Sequence, residues 1–130
     1  MQKYETKINR FDISFCSATI EHVGRYTNQK KLFSELLKVS KKYVFLTTLN
    51  RSYPLDFHTK LPLRHLLPKY IYRIFLKIIR LNYFASEKNL NLLFSKDIKV
   101  ICRKLKIINY KIFYNKFIIL KSNIILIIKK

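Results

Sequence analysis

The most constraining feature of this chain is Phe11–Gly24, FDISFCSATIEHVG. Ile13-Ser14-Phe15-Cys16 has the length and the β-branched or aromatic content of a strand buried on both faces. The run then breaks into Ser17-Ala18-Thr19 and passes at once to Glu21, His22 and the only glycine, Gly24. A buried strand that releases small residues, then an acid and an imidazole, suits an α/β ligand site, because ligands there sit beyond the strands' carboxyl ends. Periodicity by itself favours the plainer reading, a core strand with a polar exit turn.

Downstream, Thr27 or Asn28 offers an N-cap. Leu32, Phe33, Leu36 and Leu37 then mark one helical face, with Lys30, Lys31 and Lys38 outside it. That helix is expected to run to about Val39. Tyr43–Thr47 (YVFLT) follows as a second strand, again apolar on both sides. Strand, helix and strand in this order predict a right-handed βαβ unit with a parallel pair. Its exit loops, 17–24 and 48–59, therefore open at one sheet edge.

Pro54, Pro62 and Pro68 punctuate an irregular stretch. Ile71, Ile74, Phe75 and Ile78 then give an i, i+3, i+4, i+7 stripe, while Lys69, Arg73, Lys77 and Arg80 form a basic stripe elsewhere on the same helix. Such a basic stripe is usually the solvated face of a packed helix. It can also lie in a membrane interface and attract anionic lipid. Ser95 is a candidate N-cap for a helix over 96–105, with Asp97 favourable in its first turn. The Ile-rich remainder, 106–114 and 117–129, reads as two strands.

Composition narrows the classes. With 130 residues, 49% of them hydrophobic, the chain is long enough for a core and is neither disordered nor low-complexity. The net charge of +20 invites a nucleic-acid or anionic-membrane partner. The lysines are dispersed, however, as they are in proteins from AT-rich genomes. Cys16 and Cys102 form no metal or disulfide pattern and fit a reducing, cytoplasmic setting. Met1–Arg10 is polar and mixed in charge, an exposed lead-in and not a secretion signal. No window holds the roughly 18 uninterrupted apolar residues of a membrane span.

The stretch FD-x-x-F-x-x-A-x-I-E-H-V-G resembles the fourth strand and following turn of class I S-adenosylmethionine-dependent methyltransferases. The resemblance continues through Asn28-Gln29-Lys30-Lys31, Glu35-Leu36, Val39, Thr48, Asn50 and Arg51. It then takes in His58-Thr59-x-Leu61-Pro62, His65, Leu67-Pro68 and Asn89-Leu90-Asn91. It implies the carboxyl-terminal half of that fold. The expectation is one partial Rossmann-like α/β methyltransferase domain over 1–130. Its parts are a parallel βαβ core at 12–48, a loop and helical insertion at 49–94, and a helix with an antiparallel strand pair at 95–130. With a single glycine, the chain contains neither the glycine-rich turn nor the preceding cofactor-binding strands of the family. The strand at 12–16, central in the complete sheet, is then expected to be an edge.

The resemblance also implies roles. Ser17, Ala18, Thr19 and Ile20 fall where the family contacts S-adenosylmethionine. His22 and His58 are the candidate proton acceptors, and an imidazole titrating near neutrality suits that work. His22 can instead hydrogen-bond the backbone and shape its loop. Asn50, Arg51 and His58 fall on the acceptor side, where Arg51 could hold a carboxylate or phosphate in a bidentate pair; loop packing is the competing reading for all three. His65 reads as structural, and no metal is implied. The acceptor would be an unidentified small or lipid-like molecule, and a separate chain could supply the amino-terminal half. The second functional reading is a non-catalytic basic module for nucleic acid or an anionic membrane.

Overall fold

The computed structural model describes residues 11–54, 60 and 67–130. His58, His65 and the lead-in 1–10 lie outside the described residues. Strand β1 (Phe11–Ser17) leads through a 3-10 turn (Ile20–His22) into helix α1 (Tyr26–Val39) and strand β2 (Ser40–Leu49). Helices α2 (Lys69–Ile78), α3 (Asn82–Ala85) and α4 (Ser95–Lys104) follow, and strands β3 (Tyr110–Phe117) and β4 (Leu120–Lys129) close the chain. The sheet order is β1-β2-β4-β3. The β1–β2 pair is parallel, and β4 is antiparallel to both β2 and β3.

The register explains the core. Cys16, Leu46, Leu126 and Ile112 form one row across the four strands, and Ser14, Val44, Ile128 and Tyr110 form another. On these rows α1 lays Phe33 and α4 lays Ile98, Ile101 and Cys102, all four buried. Burial of each large apolar side chain is worth about 1.5–3 kcal/mol, so this single helix layer is the main source of stability.

The other sheet face is open, which corrects the expectation that the first two strands are buried on both sides. Side chains alternate along a strand. When Cys16 points into the helix layer, Ile13 and Phe15 must therefore point away, and Phe15 is 68% exposed. Its row continues through Phe45 and Ile127, which are half-buried, and the next row ends on exposed Phe113. Among the described residues no helix packs on this face. Among the described residues β1 has only β2 beside it, as expected of an edge.

The helix ends differ in detail from the sequence reading. The N-cap of α1 is Arg25, with no side-chain cap; Thr27 and Asn28 lie inside the first turn, where Asn28 Nδ2 donates to the Val23 carbonyl (2.9 Å). At α4 the cap position is Phe94 and not Ser95. Its amide donates to Asp97 Oδ2 (2.8 Å), so Asp97 satisfies one otherwise orphaned donor.

The largest change concerns α2. Its buried residues are Tyr72 and Leu76, packed with Ala85 of α3, whereas Ile71, Ile74, Phe75 and Ile78 are exposed. The expected core stripe is the solvent-facing one. Both sectors are apolar, and only contact with α3 selects the narrower of them.

Two measurements follow. Leu126→Ala should cost about 2–5 kcal/mol in denaturant unfolding, whereas Phe15→Ala should stay within about 0.5 kcal/mol. Equal losses would mean that the outer face is covered. Burial pushes the Cys102 thiol from its ordinary 9.0 up to about 11. In that window the folded state holds a proton that the unfolded chain has released. Stability should therefore fall as pH rises from about 9 to about 11, and Cys102→Ala should flatten that part of an unfolding-midpoint profile.

Candidate functional site

The carboxyl ends of β1 and β2 meet at one edge. Ser17 Oγ and Thr47 Oγ1 share a hydrogen bond of 2.9 Å, and the Ala18 amide donates to the Thr47 carbonyl (2.9 Å). Ala18 has φ 47°, a left-handed conformation uncommon for a residue with a side chain. Thr19 Oγ1 turns back onto the Ser17 carbonyl (2.9 Å). Ser17, Ala18 and Thr19 are exposed and small, so the strand end presents backbone and hydroxyl groups to solvent. Ile20 differs from these three. Its side chain is fully buried in the core, so only its backbone is placed to line a site, and its carbonyl already accepts from Gln29 Nε2 (3.2 Å).

Behind this turn lies a buried polar clamp. Glu21 is fully buried, and its Oε2 accepts from Thr48 Oγ1 (2.7 Å), which ties the turn to β2. The Glu21 carbonyl accepts from the Asn91 amide (2.7 Å). Gln29, also fully buried, donates to the Asn91 carbonyl as well (2.8 Å). Asn91 Nδ2 donates to the Gly24 carbonyl (2.9 Å), and Asn91 Oδ1 accepts from Lys69 Nζ (2.7 Å). Gly24 sits at φ 89°, so a side chain here would be strained, while the Lys88 backbone 3.4 Å from where a Cβ would lie is an ordinary contact.

His22 Nδ1 bonds the Asn89 carbonyl at 2.9 Å. A carbonyl only accepts, so Nδ1 carries the hydrogen, and the lone pair of the neutral ring is on Nε2. The structure thus makes the loop-shaping contact of His22 and leaves the ring exposed at the same edge.

Asn50 and Arg51 are buried and held by backbone groups. Asn50 Nδ2 donates to the Lys121 carbonyl (3.0 Å), and Asn50 Oδ1 accepts from the Ser52 amide (3.0 Å). An Arg51 guanidinium nitrogen donates to the Leu67 carbonyl (3.2 Å), and the guanidinium stacks 4.8 Å from the Phe94 ring centroid. Arg51, Lys69 and Arg73 border a crevice of about 10 Å³, room for one water. Burial first, then the Arg51 guanidinium, lowers the Lys69 pKa below its ordinary 10.5. A far larger groove, about 530 Å³, lies at the opposite edge between the end of α1 and the α4–β3 connection, lined by Leu37, Leu105, Ile107 and Ile128. Ligands of open α/β sheets bind beyond the carboxyl ends of the parallel strands, so that groove is not where the fold places chemistry.

The edge therefore brings together Ser17, Ala18, Thr19, the Ile20 backbone, His22, Asn50 and Arg51. Gln29 and Asn91 are participants to which the sequence assigned no site role, and Lys69 had one only as part of the basic stripe. The signal available for Gln29 was a polar residue one turn before Phe33 on the buried side of α1.

No protein-family model matches the chain, and no curated protein sequence does. Solved structures do match, and they define the class of fold as that of the S-adenosylmethionine-dependent methyltransferases. One is a methyltransferase of this kind from Methanosarcina mazei, with a TM-score of 0.60 at 12% identity over 98% of this chain and 63% of that one. Another is from Archaeoglobus fulgidus, with a TM-score of 0.55 at 12% identity over 97% and 62%. A third, from Thermotoga maritima and described as a possible histamine N-methyltransferase, has a TM-score of 0.53 at 14% identity over 98% and 60%. The chain thus spans 60–63% of the length of these structures, and the likeness is one of fold.

The clamp yields a test. Gln29→Ala leaves the Ile20 and Asn91 carbonyls without their buried donor and should cost about 1–3 kcal/mol in unfolding. Amide hydrogen exchange should rise around Asn91 and the turn at 20–22. Unchanged exchange there would show that the clamp does not hold the two segments together.

Proposed function

We propose that this chain forms the acceptor-side part of an S-adenosylmethionine-dependent methyltransferase. The observation that carries the reading is the exposed Ser17–Thr19 turn, with Ala18 in a left-handed conformation, at the strand edge of a methyltransferase fold. The small residues present fit one wall of a cofactor pocket. Ser17, Ala18 and Thr19, with the Ile20 backbone, would border the cofactor. The cofactor supplies a sulfonium methyl group open to in-line attack by a nucleophilic acceptor.

The chain's own contribution is orientation, which can account for much of such a rate enhancement. Arg51, held by the Leu67 carbonyl and the Phe94 ring, orients an anionic group of the acceptor, with Asn50 fixing the loop beside it. His22 Nε2 and His58 are the candidate proton acceptors. The acceptor is a small or lipid-like molecule, and the setting is cytoplasmic, in keeping with two buried free thiols. The amino-terminal half, from a further segment or a separate chain, would pair with the β1 edge and cover Ile13 and Phe15. The position of β1 at the end of the sheet and the apolar outer rows support this reading.

A second reading, a basic module for nucleic acid or an anionic membrane, gains support from the exposed apolar face of α2. Among the described residues no helix is long and apolar enough to cross a membrane.

Calorimetric titration with S-adenosylmethionine tests the first reading. The 130 residues alone should show no measurable affinity, because one wall offers few contacts against the lost translational freedom. Adding a segment that bears a glycine-rich strand–turn–helix should bring binding to about the micromolar range. In the reconstituted domain, Arg51→Ala and His58→Ala should impair acceptor use more than cofactor binding. Micromolar cofactor binding by the chain alone would refute the divided pocket.

A further inference from the structure

Helix α2 is amphipathic with the opposite sense to a normal surface helix. It rests on Tyr72 and Leu76 and shows solvent Tyr70, Ile71, Ile74, Phe75 and Ile78, the last 73% exposed. Lys69, Arg73 and Lys77 lie along one border of that apolar arc, and Arg80 follows just beyond the helix. Lys69 and Arg73 turn inward to Asn91 and Glu87, while Lys77 and Arg80 remain exposed.

A second element of the same kind is the tip of the β3–β4 hairpin, Phe117-Ile118-Ile119-Leu120. Ile118 and Ile119 are 85% and 80% exposed, and exposed Lys116 and Lys121 pair across the strands just behind them. Two-residue hairpin turns favour Asn and Gly because they need positive φ. Here Ile118 holds φ 62°, a costly conformation for a β-branched residue. Folding alone would select a polar residue at this place.

Both elements belong to the candidate-site edge. The Phe117 ring lies 6.5 Å, centroid to centroid, from Tyr53, and the Lys121 carbonyl accepts from Asn50. The Leu67 carbonyl at the entrance to α2 accepts from Arg51. Within both elements every charged residue is basic, and the neighbouring Glu87 is paired with Arg73. No Asp or Glu occurs from Phe57 to Ser86, or from Ile98 to Lys130.

We infer that α2 and the 117–120 tip dock this edge onto an anionic phospholipid surface. Ile74, Phe75, Ile78, Ile118 and Ile119 enter the interfacial layer, while Lys77, Arg80, Lys116 and Lys121 sit among the headgroups. Apolar residues bordered by lysine and arginine are what an interfacial layer accommodates, whereas a nucleic-acid backbone would leave the isoleucines in water. This deepens the second reading above and is independent of methyl transfer.

The test is flotation of the purified full chain with phosphatidylcholine–phosphatidylserine vesicles, without cofactor. Binding should exceed that to phosphatidylcholine alone and weaken as salt rises. Ile74→Ser/Phe75→Ser/Ile78→Ser should lower the partition coefficient at least about tenfold, as should Ile118→Ser/Ile119→Ser. These positions are exposed, so both variants should keep the parent's circular dichroism and unfolding midpoint. Because the chain has no tryptophan, Ile119→Trp gives a single probe, whose emission should be quenched by brominated acyl chains. Equal binding by parent and apolar variants, or no quenching, would overturn the proposal by leaving only diffuse charge attraction. Loss of a dimer in sedimentation by the α2 variant, without vesicle binding by the parent, would overturn it in favour of a second copy on the same face.

Discussion

The clamp formed by Glu21, Gln29 and Asn91 is the contact on which the arrangement of the site edge depends. Three polar side chains are buried where an apolar core would be simpler, and each ties chain segments that share no sheet or helix. Glu21 joins the β1 exit to Thr48 at the end of β2. Gln29 joins α1 to both the exit turn and the segment before α4. Asn91 carries the link on to Lys69 and so to α2. In a low-dielectric setting such bonds are strong when satisfied and costly when broken, so they define one geometry of the edge instead of a family of loop conformations.

The clamp also gives the Glu-His pair an architectural part. Glu21 spends its side chain on Thr48 and its carbonyl on Asn91. His22 spends one ring nitrogen on the Asn89 carbonyl, and that bond sets which nitrogen holds the proton-accepting lone pair. That structural hydrogen bond fixes the tautomer of an exposed ring. The same economy appears at Arg51, whose contacts with Leu67 and Phe94 fix the plane of a guanidinium that borders the crevice beside Lys69.

The type and order of the four strands and of α1, α2 and α4 were legible in the sequence because apolar alternation and helical spacing are local; the short α3 and the 3-10 turn were not. The β1–α1–β2 unit, α4 and the final strand pair follow from Phe11–Ser17, Leu32–Leu37 and the isoleucines of 124–128. Which side of an element meets the core was less legible, because both candidate sides were apolar. Phe15 and Cys16 are both suitable core residues, and only the placement of α1 and α4 on one side of the sheet decides between them. In α2 the broad arc from Tyr70 to Ile78 outnumbers Tyr72 and Leu76, yet the pair touching Ala85 is the buried one. Ile20 is likewise separated from Ser17–Thr19 by the direction of its side chain, which the 3-10 turn sets. The clamp was illegible for another reason: its partners are distant in sequence, Gln29 and Asn91 by 62 residues.

The position of β4 has a consequence for how the molecule comes together. β1, α1 and β2 are neighbours in sequence, and so are α4, β3 and β4; each trio can be assembled from short loops. The two trios meet along a single antiparallel ladder, β2 against β4, which pairs residues as distant as Val44 and Ile128. Closing that ladder means bringing together the ends of a long intervening chain, so it is the entropically slow step for this topology. The buried rows Cys16–Leu46–Leu126–Ile112 and Ser14–Val44–Ile128–Tyr110 are continuous only once it has closed. This one seam turns two local units into a single core.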